Sequence, residues 1–387
     1  MRSLRAQNGL FCVLVGMLGV YASAFSAVAD RMAGSFLASP AMAGLLVSVY
    51  AAGSLLSVLV SGALADAVGK RKVVAFAMLL MTLGLVTVAT AQSAAPLLIG
   101  LFLTGMGFGP TESMTSALLT DENPLEATKW MNLSQIAFGI GAIAAPAAAA
   151  WYLLTGGSFR GIMALCALLV AGLLALVLCS GKGQFAPPAT ARKAHDYNLF
   201  SVLKRPKVWV YALMVFLYLG YESVGPVYFK QYFLLRGATE QMATLAISVF
   251  WLAMLALRFA GVFLTGRELK CIRYLPLLAV VGTAVALSAQ SDAMRMLGVV
   301  LYGFGCGPVW PMLFVLAAQA CPGRSGATYA VMMLCSTAGN SLFPVLIGAW
   351  VGDPPVTLMI CAGLAICVTA TSLAHGTAVP CCRSRGD

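Results

Sequence analysis

The sequence predicts an all-α integral membrane protein of about twelve transmembrane helices, arranged as two pseudo-symmetric six-helix bundles. Three observations carry this. The 387 residues are 60% hydrophobic and only 10% charged, against roughly 25% charged in an ordinary soluble domain. Apolar stretches long enough to cross about 30 Å of hydrocarbon as a helix recur along the chain. The glycines and prolines of the first half return in the second at a constant offset.

In chain order, the first bundle (1–180) takes six spans near 9–36, 42–65, 73–91, 97–119, 130–153 and 161–180. The first has a competing reading. Arg2 and Arg5 precede an apolar run ending in Ala27-Val28-Ala29, the pattern of a cleavable signal peptide. Cleavage there would leave eleven spans and break the pairing of the halves. Residues 181–207 are polar, with Pro187-Pro188, several basic residues and one acid, Asp196, and read as a cytoplasmic linker. The second bundle (208–387) takes spans near 208–233, 241–265, 274–290, 295–319, 328–350 and 356–378.

Shifting the sequence by 198 positions, the difference between 105 and 303, lays Gly105-Met106-Gly107-Phe108-Gly109-Pro110 on Gly303-Phe304-Gly305-Cys306-Gly307-Pro308. Gly141 and Pro146 fall on Gly339 and Pro344 in the same register. The run at 105–110 looks like a phosphate-binding fingerprint, but it lies inside an apolar helix with no strand before it. Small residues three or four apart let membrane helices approach closely, so packing is the better reading, and Pro110 can kink its helix.

The net charge of +11 raises a nucleic-acid partner. With the N-terminus cytoplasmic and the helices alternating, that side collects most of the basic residues, among them Arg2, Arg5, Lys70, Arg71, Lys72, Lys129, Lys204, Arg205, Lys207, Arg267, Lys270, Arg273 and Arg324. The opposite loops hold Arg160, Arg236 and Arg295. The charge therefore encodes orientation, and no nucleic acid is expected. Both termini are expected to be cytoplasmic, in a plasma membrane, or the inner membrane of a bacterium. Most of the eleven cysteines lie singly inside spans, only Cys381 and Cys382 are adjacent, and His195 and His375 lie far apart, so no metal-ligand spacing appears. No nucleophile stands with its base and no soluble domain is appended, so no enzyme is expected.

Between the second and third spans stands Gly62-Ala63-Leu64-Ala65-Asp66-Ala67-Val68-Gly69-Lys70-Arg71-Lys72. Gly62 permits close helix contact, Asp66 can accept hydrogen bonds from exposed amides at a helix start, and Gly69 permits a left-handed turn before the basic cluster. The stretch reads as a cytoplasmic latch, or else as a solvated charged loop. It resembles the loop signature of the major facilitator superfamily, Gly-x-Leu-Ala-Asp-Arg-x-Gly-Arg-Lys, with Ala67 in place of the usual arginine. That resemblance implies two bundles rocking about a central site.

A carboxylate at mid-membrane opposes insertion by roughly 2.5 to 3.5 kcal/mol, so buried acids mark chemistry. Glu112, near the middle of its span, is the clearest. A desolvated carboxyl favours its neutral form and can take up and release a proton as a cavity opens to alternate sides. The bland alternative is a protonated Glu bonded to a neighbouring helix. Glu222 is a third buried acid after Glu112 and Asp30, with Lys230 two turns further along its helical face. Either both contact substrate, or one pairs with Arg258.

A narrower resemblance is to the fucose:proton symporter family. It is carried by Ala29-Asp30, Thr111-Glu112-Ser113, Met131-Asn132-Leu133-Ser134-Gln135 leading to Phe138-Gly139-Ile140-Gly141-Ala142, Tyr218-Leu219-Gly220-Tyr221-Glu222, Phe250-Trp251 to Arg258, Trp310-Pro311 and Phe343-Pro344. The Tyr-x-Gly-x-Glu form looks closer to that family's glucose and galactose branch. The resemblance implies proton carriage at Glu112 and, by its matching acid, at Asp30. Asp30 is followed by Arg31, so an interfacial ion pair competes with a transport role there. Gln135, Asn132, Glu222, Tyr218, Tyr221, Trp251 and Trp310 stand in helices that line the family's cavity, where aromatic faces and amides would hold a sugar. Arg258 is expected to be structural, because Leu257 replaces the glycine of the family's Gly-Arg pair.

The sequence is thus expected to encode a monomeric secondary active transporter, a proton-coupled symporter of a small polar solute such as a hexose. It would use no cofactor and draw on the proton gradient. Two transport alternatives stay open. Gly141-Ala142-Ile143-Ala144-Ala145-Pro146 resembles an antiporter motif and would mean proton-driven efflux, while Arg31 and Lys230 would suit uptake of an organic anion.

Overall fold

The computed structural model describes residues 2–37, 42–179 and 202–375. Every element among them is helical: α1 (Arg2–Phe36), α2 (Ala43–Val68), α3 (Lys70–Thr90), α4 (Ala94–Glu122), α5 (Ala127–Leu154), α6 (Phe159–Cys179), α7 (Pro206–Leu235), α8 (Glu240–Gly261), α9 (Glu268–Ser288), α10 (Asp292–Cys306), α11 (Val309–Ala320), α12 (Ser325–Trp350) and α13 (Pro354–His375). They supply twelve stretches long and apolar enough to cross a membrane, with α10 and α11 sharing one. Most helices overrun the apolar runs, because a helix that meets its own backbone hydrogen bonds can continue into the polar interface. Of the expected linker, 181–201 lies outside the described residues, as do His195, Cys381 and Cys382.

By contact the chain forms two compact units, 1–208 with 317–334, and 209–316 with 335–387. The stretch from the end of α11 to the first turns of α12 groups by contact with the first unit, where it meets Gly62 and Asp66. A Cβ on Gly62 would meet the Ala330 Cβ at 2.6 Å and the Gly326 carbonyl oxygen at 2.9 Å.

In the first unit α1 packs on α5, α2 and α3 on α4, and α3 on α6. The α2–α4 crossing is backbone on backbone. A Cβ on Gly105 would fall on the Tyr50 carbonyl oxygen, and one on Gly53 on the Phe102 carbonyl oxygen. Without a hydrophobic force between helices in lipid, such close approach is what holds them together. In the second unit α9 packs on α10 and α13, and α8 on α10.

The repeated Gly-Pro run takes two forms. Pro110 sits inside an unbroken α4, whereas α10 stops at Cys306, Gly307 leaves helical geometry (φ −34°, ψ −102°), and α11 begins at Val309. In α4, hydroxyls of the helix itself reach back to nearby carbonyls, Thr111 to Gly107 at 2.7 Å and Ser113 to Gly109 at 3.0 Å. In the second half the carbonyls of the break are taken by side chains of other helices, described below.

Candidate functional site

The loop after α2 builds a charge cluster. Gly69 has φ +99°, the left-handed geometry that turns the chain from α2 into α3. Three residues back, in the last turn of α2, the Asp66 carboxylate accepts the backbone N–H groups of Gly326 and Ala327, each at 3.0 Å. Asp66 thereby caps α12, supplying to its first turn the acceptor and negative charge that an N-cap and the helix dipole favour. Lys70 bridges Asp66 at 3.3 Å and Asp121 at 3.1 Å, and the Ser325 hydroxyl donates to Asp121 at 2.7 Å. Arg71 turns the other way, donating to the Val177 carbonyl of α6 at 2.6 Å. The sequence reading missed Asp121 and Ser325; an acid at the C-terminal end of the fourth span was the available signal. Replacing Asp66 by Ala is expected to speed amide exchange at Gly326 and Ala327 by about tenfold, the loss of one cap. Hydrogen exchange of the 325–330 segment checks it.

Earlier in α4, Glu112 is 8% exposed and has no hydrogen bond or ion pair with any described residue. One turn before it, Phe108 joins Tyr21, Phe25 and Tyr50 in an aromatic group. Tyr50 lies 5.6 Å from Phe108, 5.8 Å from Tyr21 and 5.7 Å from Phe25, centroid to centroid. The sequence reading did not single out Tyr21 or Tyr50. On α5, Asn132 and Gln135 are buried on one face, one turn apart. Asn132 spends its Nδ2 on the Thr128 carbonyl at 2.8 Å, while its Oδ1, the Gln135 Nε2 and the Tyr21 hydroxyl have no partner among the described residues. Unpaired buried polar atoms are rare and call for an explanation, a ligand or water being the usual one.

Asp30 and Arg31 stand apart from that group. Both are exposed, and with Ala27, Pro146, Ala150, Leu153 and Leu154 they line a cavity of about 330 Å³ between α1 and α5. Neither forms an ion pair with a described residue.

In the second unit Glu222 pairs with Arg258 at 3.4 Å, both nearly fully buried. Lys230 instead reaches Glu240 at 2.5 Å, at the α7–α8 connection. Tyr218 and Tyr221 are fully buried, and their hydroxyls donate to the Cys306 and Gly305 carbonyls. Trp310 donates to the Ser336 hydroxyl at 3.1 Å and packs on Phe314. Trp251 is 40% exposed and rests on Phe250.

Twelve membrane spans with buried, unpaired polar groups inside them define a polytopic membrane transporter. The chain belongs to the Major Facilitator Superfamily, whose sequence profile matches residues 9–344. It is 25% identical over 350 residues to YhhS of Escherichia coli O157:H7, an MFS-type transporter itself described as uncharacterized, covering 85% of this chain and 82% of that one. Its fold is shared by the E. coli fucose:proton symporter FucP, with a TM-score of 0.79 at 17% identity over 96% of this chain and 99% of that one. The human organic anion transporter MFSD10 matches with a TM-score of 0.75 at 18% identity, over 94% and 97% of the two chains.

Proposed function

We propose that the protein is a proton-coupled symporter of a small polar solute, a hexose or related sugar, working by alternating access. The observation that carries this reading is Glu112, a buried carboxyl with no partner among the described residues, on a helix that packs against α5. A group that must exchange its proton cannot be tied into a permanent ion pair. The open Oδ1 of Asn132 and Nε2 of Gln135 supply an acceptor and a donor, the pairing a sugar hydroxyl needs. FucP, of the same fold, is a fucose:proton symporter, which supports the reading by analogy.

In this reading the proton gradient is the energy source, Asp30 is a second acid on the proton path, the cluster around Asp66 is the cytoplasmic latch, and the protein acts as a monomer in a plasma or inner membrane. An organic-anion substrate would draw on Arg31 and Lys230; Lys230 is engaged with Glu240, which leaves Arg31, beside Asp30 in the cavity between α1 and α5, to carry that reading.

The test is uptake of labelled hexoses, pentoses and organic anions into right-side-out vesicles under an inward proton gradient. A hexose should accumulate, and Gln135→Leu should raise its half-saturating concentration by about tenfold, the loss of one buried hydrogen bond. Accumulation of an organic anion with no sugar would overturn the substrate class.

A further inference from the structure

In an apolar helix a Ser or Thr hydroxyl has one acceptor within reach, the carbonyl four residues back. In α4 that acceptor is used by Thr104 on Gly100 at 2.7 Å, Thr111 on Gly107 at 2.7 Å, Ser113 on Gly109 at 3.0 Å and Thr120 on Ser116 at 3.0 Å. Thr115 and Ser116 depart from the pattern. Both are fully buried and neither hydroxyl has a partner among the described residues, although the carbonyls of Thr111 and Glu112 stand in the same relation to them within the same helix. A buried hydroxyl left unmet is costly, so one that forgoes an acceptor within reach is turned to another partner.

The place of these two hydroxyls names the partner. They follow Glu112 by three and four positions, so they sit one turn on along the same face, on either side of the line through Glu112. Side chains of a helix lean toward its N-terminus, which lays both hydroxyls over the turn of Glu112 and carries the carboxyl toward the turn of Phe108. The offset is one helical turn, about 5.4 Å. That is too long for a direct hydrogen bond, and it is the length that one water spans with two bonds of about 2.8 Å each. A buried water needs several polar partners, and Thr115, Ser116 and Glu112 supply them. The run of open hydroxyls ends one turn further on, at Thr120, whose hydroxyl is bonded to that of Tyr329.

We propose that Thr115 and Ser116 are positioning residues for proton exchange at Glu112, their hydroxyls fixing a water against its carboxyl. The inference rests on the reading of Glu112 as proton carrier and adds the means by which the proton comes and goes. On release, the carboxyl O–H bond breaks as the water takes the proton and passes one of its own to a neighbouring water, leaving a carboxylate that the held water still solvates. Uptake runs the same steps backwards, and the two hydroxyls are unchanged throughout. A water suits both charge states of Glu112, because it accepts from the acid and donates to the carboxylate.

The test reads the carboxyl itself. The full chain in lipid nanodiscs at mildly acid pH is moved from H2O into D2O, and the shift of the protonated carboxyl C=O band is followed by infrared spectroscopy, the band being assigned by its loss in Glu112→Gln. Thr115→Val combined with Ser116→Ala should slow the exchange by about tenfold or more. Thermal unfolding should be no lower than in wild type, because neither hydroxyl holds a described protein group. Thr115→Ser, which keeps the hydroxyl, should exchange at the wild-type rate. Exchange within about twofold of wild type in the double variant, or equal slowing in Thr115→Ser, would overturn the role of the hydroxyls and leave Glu112 as the carrier. If Glu112→Gln removes no protonated-carboxyl band, Glu112 holds no proton to exchange, and the carrier reading falls together with this inference.

Discussion

Replacing Glu112 by Gln is expected to abolish proton-driven accumulation while solute exchange across the membrane persists. Glutamine keeps the shape of the protonated acid and can still donate a hydrogen bond, so the packing of α4 against α2 and α3 is preserved. It cannot release a proton. For one proton per solute, each pH unit of gradient supports about tenfold accumulation. Under a gradient of about two units the variant should therefore fall short of wild type by about a hundredfold in internal over external solute. Counterflow of labelled against unlabelled solute, which needs no net proton movement, should survive. If Glu112 were only a protonated acid packed at a helix crossing, the two proteins would accumulate alike.

Arg258→Met is expected to destabilise the protein by about 3 to 5 kcal/mol, because it strips the charge from one side of a buried ion pair and leaves Glu222 unpaired in the same stroke. It also deprives the Gly307 carbonyl of its donor. Adding Glu222→Gln should recover most of the loss, since the second change removes the uncompensated charge. Thermal unfolding of the four proteins of the cycle in nanodiscs gives the coupling directly. Simple additivity of the two single changes would mean that the pair contributes nothing.

The fold was legible because its signal is crude and repeated: long apolar runs, a basic asymmetry between loops, and a constant offset between Gly-Pro motifs. That offset equates Pro110 with Pro308, and there sequence reasoning reaches its limit. One proline passes inside a continuous helix and the other marks a break. The difference lies partly in who donates to the nearby carbonyls. Thr111 and Ser113 do so from α4 itself, while Tyr218, Tyr221 and Arg258 do so from helices distant in sequence.

The loop at 62–72 shows the same divide. A glycine before a basic cluster reveals a turn, and an acid beside it reveals an acceptor for helix-start amides. That those amides belong to Gly326 and Ala327, some 260 positions away, is a tertiary fact with no local trace. For this reason the grouping of 317–334 with the first unit was not legible either. Glu112 stood out as an acid within an apolar run, but its lack of a partner had to come from the structure, and so did the partner of Lys230 and the choice of Glu222 as the one that pairs with Arg258.

The central claim is that solute and proton move together, and the most direct test is external pH. In lightly buffered, de-energised right-side-out vesicles, addition of the transported sugar should make the medium more alkaline as protons enter with it. The signal should vanish in Glu112→Gln. If labelled sugar equilibrates equally through both proteins and the pH of the medium does not move in either, proton coupling is wrong and the protein is a uniporter.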